Sequence, residues 1–454
     1  MKGLLVVCTV ILFALTSTSC SNRSAPPAPL SDSELDSRAK ALVSLLSQGK
    51  YQDAVKMMDR TMASVMPADK LKAAWDSVTS PSQAGTFGSV KGTRVAQESG
   101  YRVVYVTCSF SAATLDIKVV FDSAGLVSGL WFVPSTSEKP EYKPPSYADA
   151  SKFTEVECTI GEGAWKLPAI LTMPVLDRPS AAVVLVHGSG PQDRDESIGP
   201  NKPFKDLAWG LASRGIAALR YEKRTKQYPK EVQASLDTFT VDQETVDDAV
   251  AALRYLAGVP SIDPKRIFIA GHSLGGYLAP KIAQAATRTG APLAGLIMLA
   301  PSARDTLDLV VEQTRYIAAL DGKIDEAEDK AIKDIEAAVG KIRQGGLKPG
   351  EVVLGGSKSY WDSLSGYDAT ATLAGLDLPV LLLQGERDYQ VTMTDYGIWK
   401  QALQAKAGAT LKSFPGLNHL FMRGEGPPSP AEYERPSNVD IDVIQAIAAW
   451  IGDR

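Results

Sequence analysis

The sequence predicts an α/β protein, a mostly parallel sheet covered by helices on both faces, preceded by a small α+β domain. Three observations carry this expectation. From about residue 150 onward, short apolar runs alternate with helical patterns, as in a parallel sheet buried on both sides. One of those runs, 267–270, stops abruptly before the glycine-flanked Ser273, and a helical pattern resumes at Leu274. Before residue 133, helical stretches give way to segments of period two, which reads as helices followed by an antiparallel sheet with one buried face.

The chain opens with Met1-Lys2 and an apolar run over 3–15, too short to span a bilayer comfortably, which together read as an export signal over 1–20. Thr16-Ser17-Thr18-Ser19-Cys20 resembles a bacterial lipoprotein processing site. That resemblance implies lipidation of Cys20 and a place in the cell envelope; ordinary cleavage with a soluble periplasmic or secreted product is the alternative. Residues 21–30, rich in Ser, Pro and Ala, form a tether.

Residues 31–133 form the first domain: a helix from Ser31 through Leu46, a second from Tyr51 and a third over 71–78. Strand-like segments follow at 95–97, 101–110, 115–122 and 126–133. The domain holds no histidine and no cluster of acids and bases, so binding or spacing is its expected role. Residues 134–148, rich in proline and charge, are the linker.

The second domain, 149–454, opens with an antiparallel pair at 153–160 and 166–173, then an apolar strand at 181–186 that ends at His187-Gly188-Ser189-Gly190-Pro191. A helix begins near Pro203 and ends before Gly215, followed by a strand at 216–221 and the charged Arg220-Tyr221-Glu222-Lys223-Arg224, whose Arg220, Glu222 and Arg224 suggest a loop-fixing ion-pair set. Thr240 and Gln243 fit a capping box for a helix running to Leu256. Further strands are expected at 267–270, 296–300, 379–384 and 410–414, and a closing helix at 439–451. Between about 304 and 366 the alternation stops, and a charged helical insert reads as a cap. In it, Ile324, Ala331, Ile335, Val339 and Ile342 share one helical face, expected to pack over the site entrance, while Tyr360 and Trp361 either line a pocket or pack.

Gly271-His272-Ser273-Leu274-Gly275 places a serine on a tight strand-to-helix turn that pushes its hydroxyl into the open. A serine hydroxyl is a poor nucleophile until a base takes its proton, so a histidine and an orienting carboxylate are required. Of the three histidines, His187 precedes the serine and His272 points away from it, which leaves His419. Asp388 is the expected acid and Glu386 the rival, since both lie on the loop after the 379–384 strand. The oxyanion donors are expected to be the backbone N–H groups of Leu274 and, by resemblance, Ser189.

These residues, with Gln192-Asp193-Arg194-Asp195 and the Arg220–Arg224 segment, resemble the α/β-hydrolases of the bacterial esterase and dienelactone-hydrolase-like group. The elbow carries serine where dienelactone hydrolases carry cysteine, so their substrate is not implied. Gly49-Lys50-Tyr51, Trp75 and Gly85-Thr86-Phe87 give the first domain a resemblance to the cystatin-like or NTF2-like modules that precede many envelope hydrolases.

The expected function is hydrolysis of small or short-chain carboxylic esters through an acyl-enzyme. Peptidase or acyltransferase chemistry uses the same residues, and a non-catalytic binding protein on a hydrolase scaffold is the alternative of another class. No metal or organic cofactor is implied. A net charge of −4, with 44% hydrophobic and 22% charged residues, suggests no nucleic-acid or anionic-membrane surface, leaving a membrane role only to the anchor. Cys108 and Cys158 could pair in an oxidising compartment, although both alternate with apolar residues like strand-core positions. Oligomeric state is not legible.

Overall fold

The computed structural model describes residues 30–80, 83–98, 101–111, 113–135 and 141–454. The export segment, Cys20 and the tether as far as residue 29 lie outside the described residues. Contacts divide the chain into two compact units, Met1–Lys139 and Pro140–Arg454.

In the first unit Ser31 caps the helix Asp32–Ser47 reciprocally: its hydroxyl accepts from the Glu34 N–H at 3.3 Å, and the Glu34 carboxylate accepts from the Ser31 N–H at 2.7 Å. Helices Tyr51–Val55, Arg60–Val65 and Ala68–Val78 follow. Four antiparallel strands then pair in chain order: β1 (Phe87–Glu98), β2 (Tyr101–Phe110), β3 (Thr114–Phe121) and β4 (Val127–Pro134). Leu35, Leu42, Leu46 and Trp75 bury against Val104, Val106, Ile117 and Val119. β1 is much longer than its 95–97 signal. It is an edge strand with register shifts at Phe87/Ser89 and Val90/Gly92, and such irregularities break the alternation that marks a strand in sequence.

The second unit is built on eight strands: β5 (Phe153–Ile160), β6 (Leu167–Pro174), β7 (Ser180–Val186), β8 (Ile216–Tyr221), β9 (Ile262–His272), β10 (Gly295–Leu299), β11 (Val380–Gly385) and β12 (Ala409–Phe414). Their order is β12-β11-β10-β9-β7-β8-β6-β5. β5 and β6 form an antiparallel hairpin joined antiparallel to β8, and the remaining pairs are parallel. Alternate residues of β7 explain its continuous apolar run. Ala182, Val184 and Val186 join the core shared with Asp247–Ala257 and Leu274–Thr289, while Ala181, Val183 and Leu185 meet Pro203–Ala212 and Ile441–Gly452 on the other face. Because the central strands are parallel, their exit loops gather at one edge, where this architecture carries its sites.

Between β10 and β11 lie the helices Thr306–Ala318, Glu326–Arg343, Lys358–Leu364 and Ala369–Ala374. The apolar stripe of this insert differs from the expected one. Asp325 and Glu328 form a capping box that starts the second helix after Ile324, which is 45% exposed, and Ala331 is exposed too. Ile332, Val339 and Ile342 are the buried positions. Val339 and Ile342 pack with Leu307, Leu347 and Trp361 in a small core of the insert's own, so the stripe is satisfied inside the cap and not over the site entrance. Trp361 is a packing residue, its indole N–H donating to the Val353 carbonyl at 2.9 Å. Cys108 is a buried free thiol in the core of the first unit, and Cys158 is a half-buried free thiol on β5 of the second. Among the described residues, no helix is long and apolar enough to cross a membrane.

Candidate active site

Ser273 sits where β9 ends and the helix Leu274–Thr289 begins, with φ 51° and ψ −116°. A side-chain-bearing residue holds such a conformation only when its surroundings over-determine it, at a cost of about 1–3 kcal/mol. Those surroundings are two backbone bonds, Ser273 N–H to the Leu299 carbonyl at 2.8 Å and Tyr277 N–H to the Ser273 carbonyl at 2.9 Å, together with glycine packing. A Cβ on Gly271 would stand 2.2 Å from the Gly275 carbonyl oxygen, and one on Gly275 would stand 2.3 Å from that of Val186. Any side chain at either position would force strand and helix apart and withdraw the turn.

The loop after β11 carries Asp388, whose side chain is fully buried. Its Oδ1 accepts from the N–H groups of Gln390 and Val391 at 2.8 and 3.0 Å, and its Oδ2 from Gln384 Nε2 at 3.2 Å. Oδ2 also meets Nδ1 of His419 at 2.6 Å. The proton of the neutral imidazole therefore rests on Nδ1, and Nε2 is left as the basic nitrogen. His419 is delivered by the turn after β12, which Asn418 builds by accepting from the N–H groups of Leu420 and Met422, each at 3.1 Å. The rival acid is turned elsewhere: Glu386 is exposed and accepts from the Ser413 hydroxyl at 2.7 Å.

The third loop, after β7, comes up against the serine. A Cβ on Gly188 would stand 3.2 Å from the Ser273 Cβ, so glycine there permits the approach. Ser189 and Gly190 are exposed at the loop tip, Gly190 with φ 83°. Among the described residues, neither the Ser189 nor the Leu274 N–H meets an acceptor. His187 is a structural residue: it packs on Phe204 and Tyr221, burial pushes it down to about 4, and its Nε2 donates to the Asp193 carbonyl at 3.0 Å.

Two buried carboxylates that sequence reasoning missed tie these loops together. Glu196 accepts from the Gly188 N–H at 2.6 Å and faces His272 Nδ1 at 2.9 Å, without the alignment of a hydrogen bond. The other nitrogen of His272 meets the His419 carbonyl at 2.9 Å. Burial opposes charge on His272, but the Glu196 carboxylate outweighs it and raises the imidazole above its ordinary value; Glu196 is correspondingly lowered despite its burial. Glu244 pairs with Lys223 at 3.0 Å, and Lys223 Nζ donates to the Gly188 carbonyl at 2.7 Å. The ion pairs expected of Arg220, Glu222 and Arg224 are present, with Asp195 and Glu155, with Arg194, and with Asp248.

The alpha/beta hydrolase family matches residues 183–434, over half of the chain, and a protein family of unknown function, DUF3887, matches 39–130. The chain belongs to the α/β-hydrolase family. This hydrolase is 35% identical over 416 residues to Esterase EstD of Thermotoga maritima, covering 92% of this chain and 95% of that protein. Among solved structures it is similar to Est1E from Butyrivibrio proteoclasticus, at 17% identity over 65% of this chain and 98% of that one, with a TM-score of 0.40. It is also similar to an esterase of Pyrobaculum calidifontis, at 18% identity over 66% and 85% of the two chains, with a TM-score of 0.42. In this hydrolase the exit loops of β7, β9, β11 and β12 supply a strained serine, a carboxylate-oriented imidazole and free backbone donors. Such a set can move a proton off a hydroxyl and receive a developing oxyanion.

Proposed function

We propose that the chain is a serine hydrolase cleaving small or short-chain carboxylic esters through an acyl-enzyme. The observation that carries this reading is the 2.6 Å Asp388–His419 contact, with the His419 ring 4.7 Å from that of His272, the residue before the strained Ser273, in a chain 35% identical to an esterase. Ser273 Oγ attacks the ester carbonyl while its proton passes to His419 Nε2. The oxyanion is received by the N–H groups of Leu274 and Ser189. Collapse expels the alcohol, which takes the proton from His419, and water then hydrolyses the acyl group by the same steps.

Short acyl chains are favoured because the cap buries its apolar stripe within itself and turns Asp, Glu and Lys outward. Each buried methylene contributes about 0.8 kcal/mol, so a long apolar groove would improve steadily with chain length, whereas a short pocket peaks early. The kcat/KM across p-nitrophenyl esters from acetyl to palmitoyl is expected to peak between acetyl and hexanoyl, well above a matched peptide amide series. A maximum at palmitoyl, or on the amides, would replace this reading with a lipase or a peptidase.

The amino-terminal sequence supports export and lipid anchoring at Cys20. Wild type is expected in the membrane fraction, with Cys20→Ala released or unprocessed. A wholly soluble wild type with an unmodified amino terminus would refute the anchor.

A further inference from the structure

Lys223 stands in the loop after β8 with a side chain only 2% exposed. A buried ammonium is costly unless its charge and its donors are met, so its partners show what it is for. They are one carboxylate oxygen, Glu244 Oε1 at 3.0 Å, and one backbone carbonyl, that of Gly188 at 2.7 Å. Glu244 is held in turn from the cap, where the Tyr360 hydroxyl, on the helix Lys358–Leu364, donates to Oε2 at 3.0 Å. The backbone is clamped at the same place: the Lys223 N–H donates to the Gln192 carbonyl at 3.1 Å.

The Gly188 carbonyl and the Ser189 N–H are the two ends of one peptide unit. In a planar trans peptide they point in opposite directions, so fixing the carbonyl fixes where the N–H aims. A cation on the carbonyl oxygen also polarises the unit and makes its N–H a stronger donor. The preceding peptide is anchored as well, by the Gly188 N–H to Glu196 at 2.6 Å, so Gly188 is gripped from both sides beside Ser273.

We infer that Lys223, fixed by Glu244 and through it by Tyr360 of the cap, is the positioning residue that aims and strengthens the Ser189 N–H as an oxyanion donor. This rests on the proposed acyl-enzyme mechanism at Ser273, in which Ser189 supplies one oxyanion donor. It makes the cap part of the rate as well as of the selectivity: displacing Tyr360 loosens Glu244, then Lys223, then the peptide that faces the transition state.

The test uses the full chain and a short-chain p-nitrophenyl ester, with a boronic acid as tetrahedral analogue. Lys223→Met is expected to lower kcat about 10- to 100-fold, less than the 10²–10³ for outright removal of a donor, with KM within about threefold. Boronate affinity should fall in proportion to kcat, a coupling that mere loosening of the fold does not produce. Tyr360→Phe, which keeps every charge, is expected to lower kcat severalfold with the same split, and it decides the matter if Lys223→Met does not fold. Lys223→Met or Tyr360→Phe folding with unchanged kcat and boronate affinity, or raising KM alone, overturns the inference. Failure of the underlying reading is separate: it would appear as turnover retained by Ser273→Ala.

Discussion

Ser273→Ala is expected to lose about 10³–10⁶-fold in kcat while unfolding at the same temperature as the parent. The size follows from dependence: without the hydroxyl, the His419 base has no nucleophile to activate, and only binding and the backbone donors remain. Alanine keeps the Cβ and therefore the same φ of 51°, so the backbone strain is neither relieved nor increased and stability is a clean control. A fluorophosphonate should label the parent on the peptide carrying Ser273 and leave the variant unlabelled. Turnover by the alanine variant within tenfold of the parent would end the acyl-enzyme mechanism.

The strained turn at Ser273 was legible because its constraint is local. The glycines that must lie beside a close-packed strand and helix stand next to the serine in sequence, and their missing side chains correspond to approaches of 2.2 and 2.3 Å that no Cβ survives. The parallel sheet was legible for the same reason: a strand buried on both faces carries a continuous apolar run, as 181–186 in β7 and 380–383 in β11 do. His419 emerged by elimination among three histidines, which a more histidine-rich chain would not have allowed.

Other features were written in contacts distant along the chain. Asp388 and Glu386 lie on one loop with the same chemistry, and only the turn that gives Asp388 the Gln390 and Val391 N–H groups sends Glu386 outward to Ser413. The cap stripe was misjudged at its beginning: the capping box at Asp325 and Glu328 leaves Ile324 ahead of the helix Glu326–Arg343, and the buried face starts at Ile332 in place of Ala331 before running on through Val339 and Ile342. Glu196, Lys223 and Glu244 escaped because each finds its partner many residues away. A signal existed for Glu196 and Lys223: charged residues crowd in the loops that leave two buried strands, in Asp193-Arg194-Asp195-Glu196 and Glu222-Lys223-Arg224, where charge must be paired or exposed.

Asp388→Asn is expected to cost about 10⁴-fold in kcat, comparable to the same change in other hydrolases of this chemistry, whereas Glu386→Gln should stay within about threefold. The asymmetry follows from the donors around each carboxylate. Asp388 Oδ1 accepts two backbone N–H groups and Oδ2 faces two more donors, Gln384 Nε2 and His419 Nδ1. An asparagine can offer acceptor character on one side only. Keeping its oxygen on the backbone N–H groups turns its NH₂ towards Nδ1 of His419, donor against donor, and the imidazole escapes by moving its proton to Nε2, the nitrogen that must be basic. Flipping the amide sets the same conflict against the Gln390 and Val391 N–H groups and unmakes the loop. Glu386 has no such crowding: it is exposed and meets one hydroxyl, which a glutamine oxygen can still accept. Steady-state kinetics on the short-chain ester, with thermal unfolding as the control for the loop, separates the two. A Glu386→Gln enzyme as impaired as Asp388→Asn, or an Asp388→Asn enzyme close to the parent, would move the orienting role off Asp388.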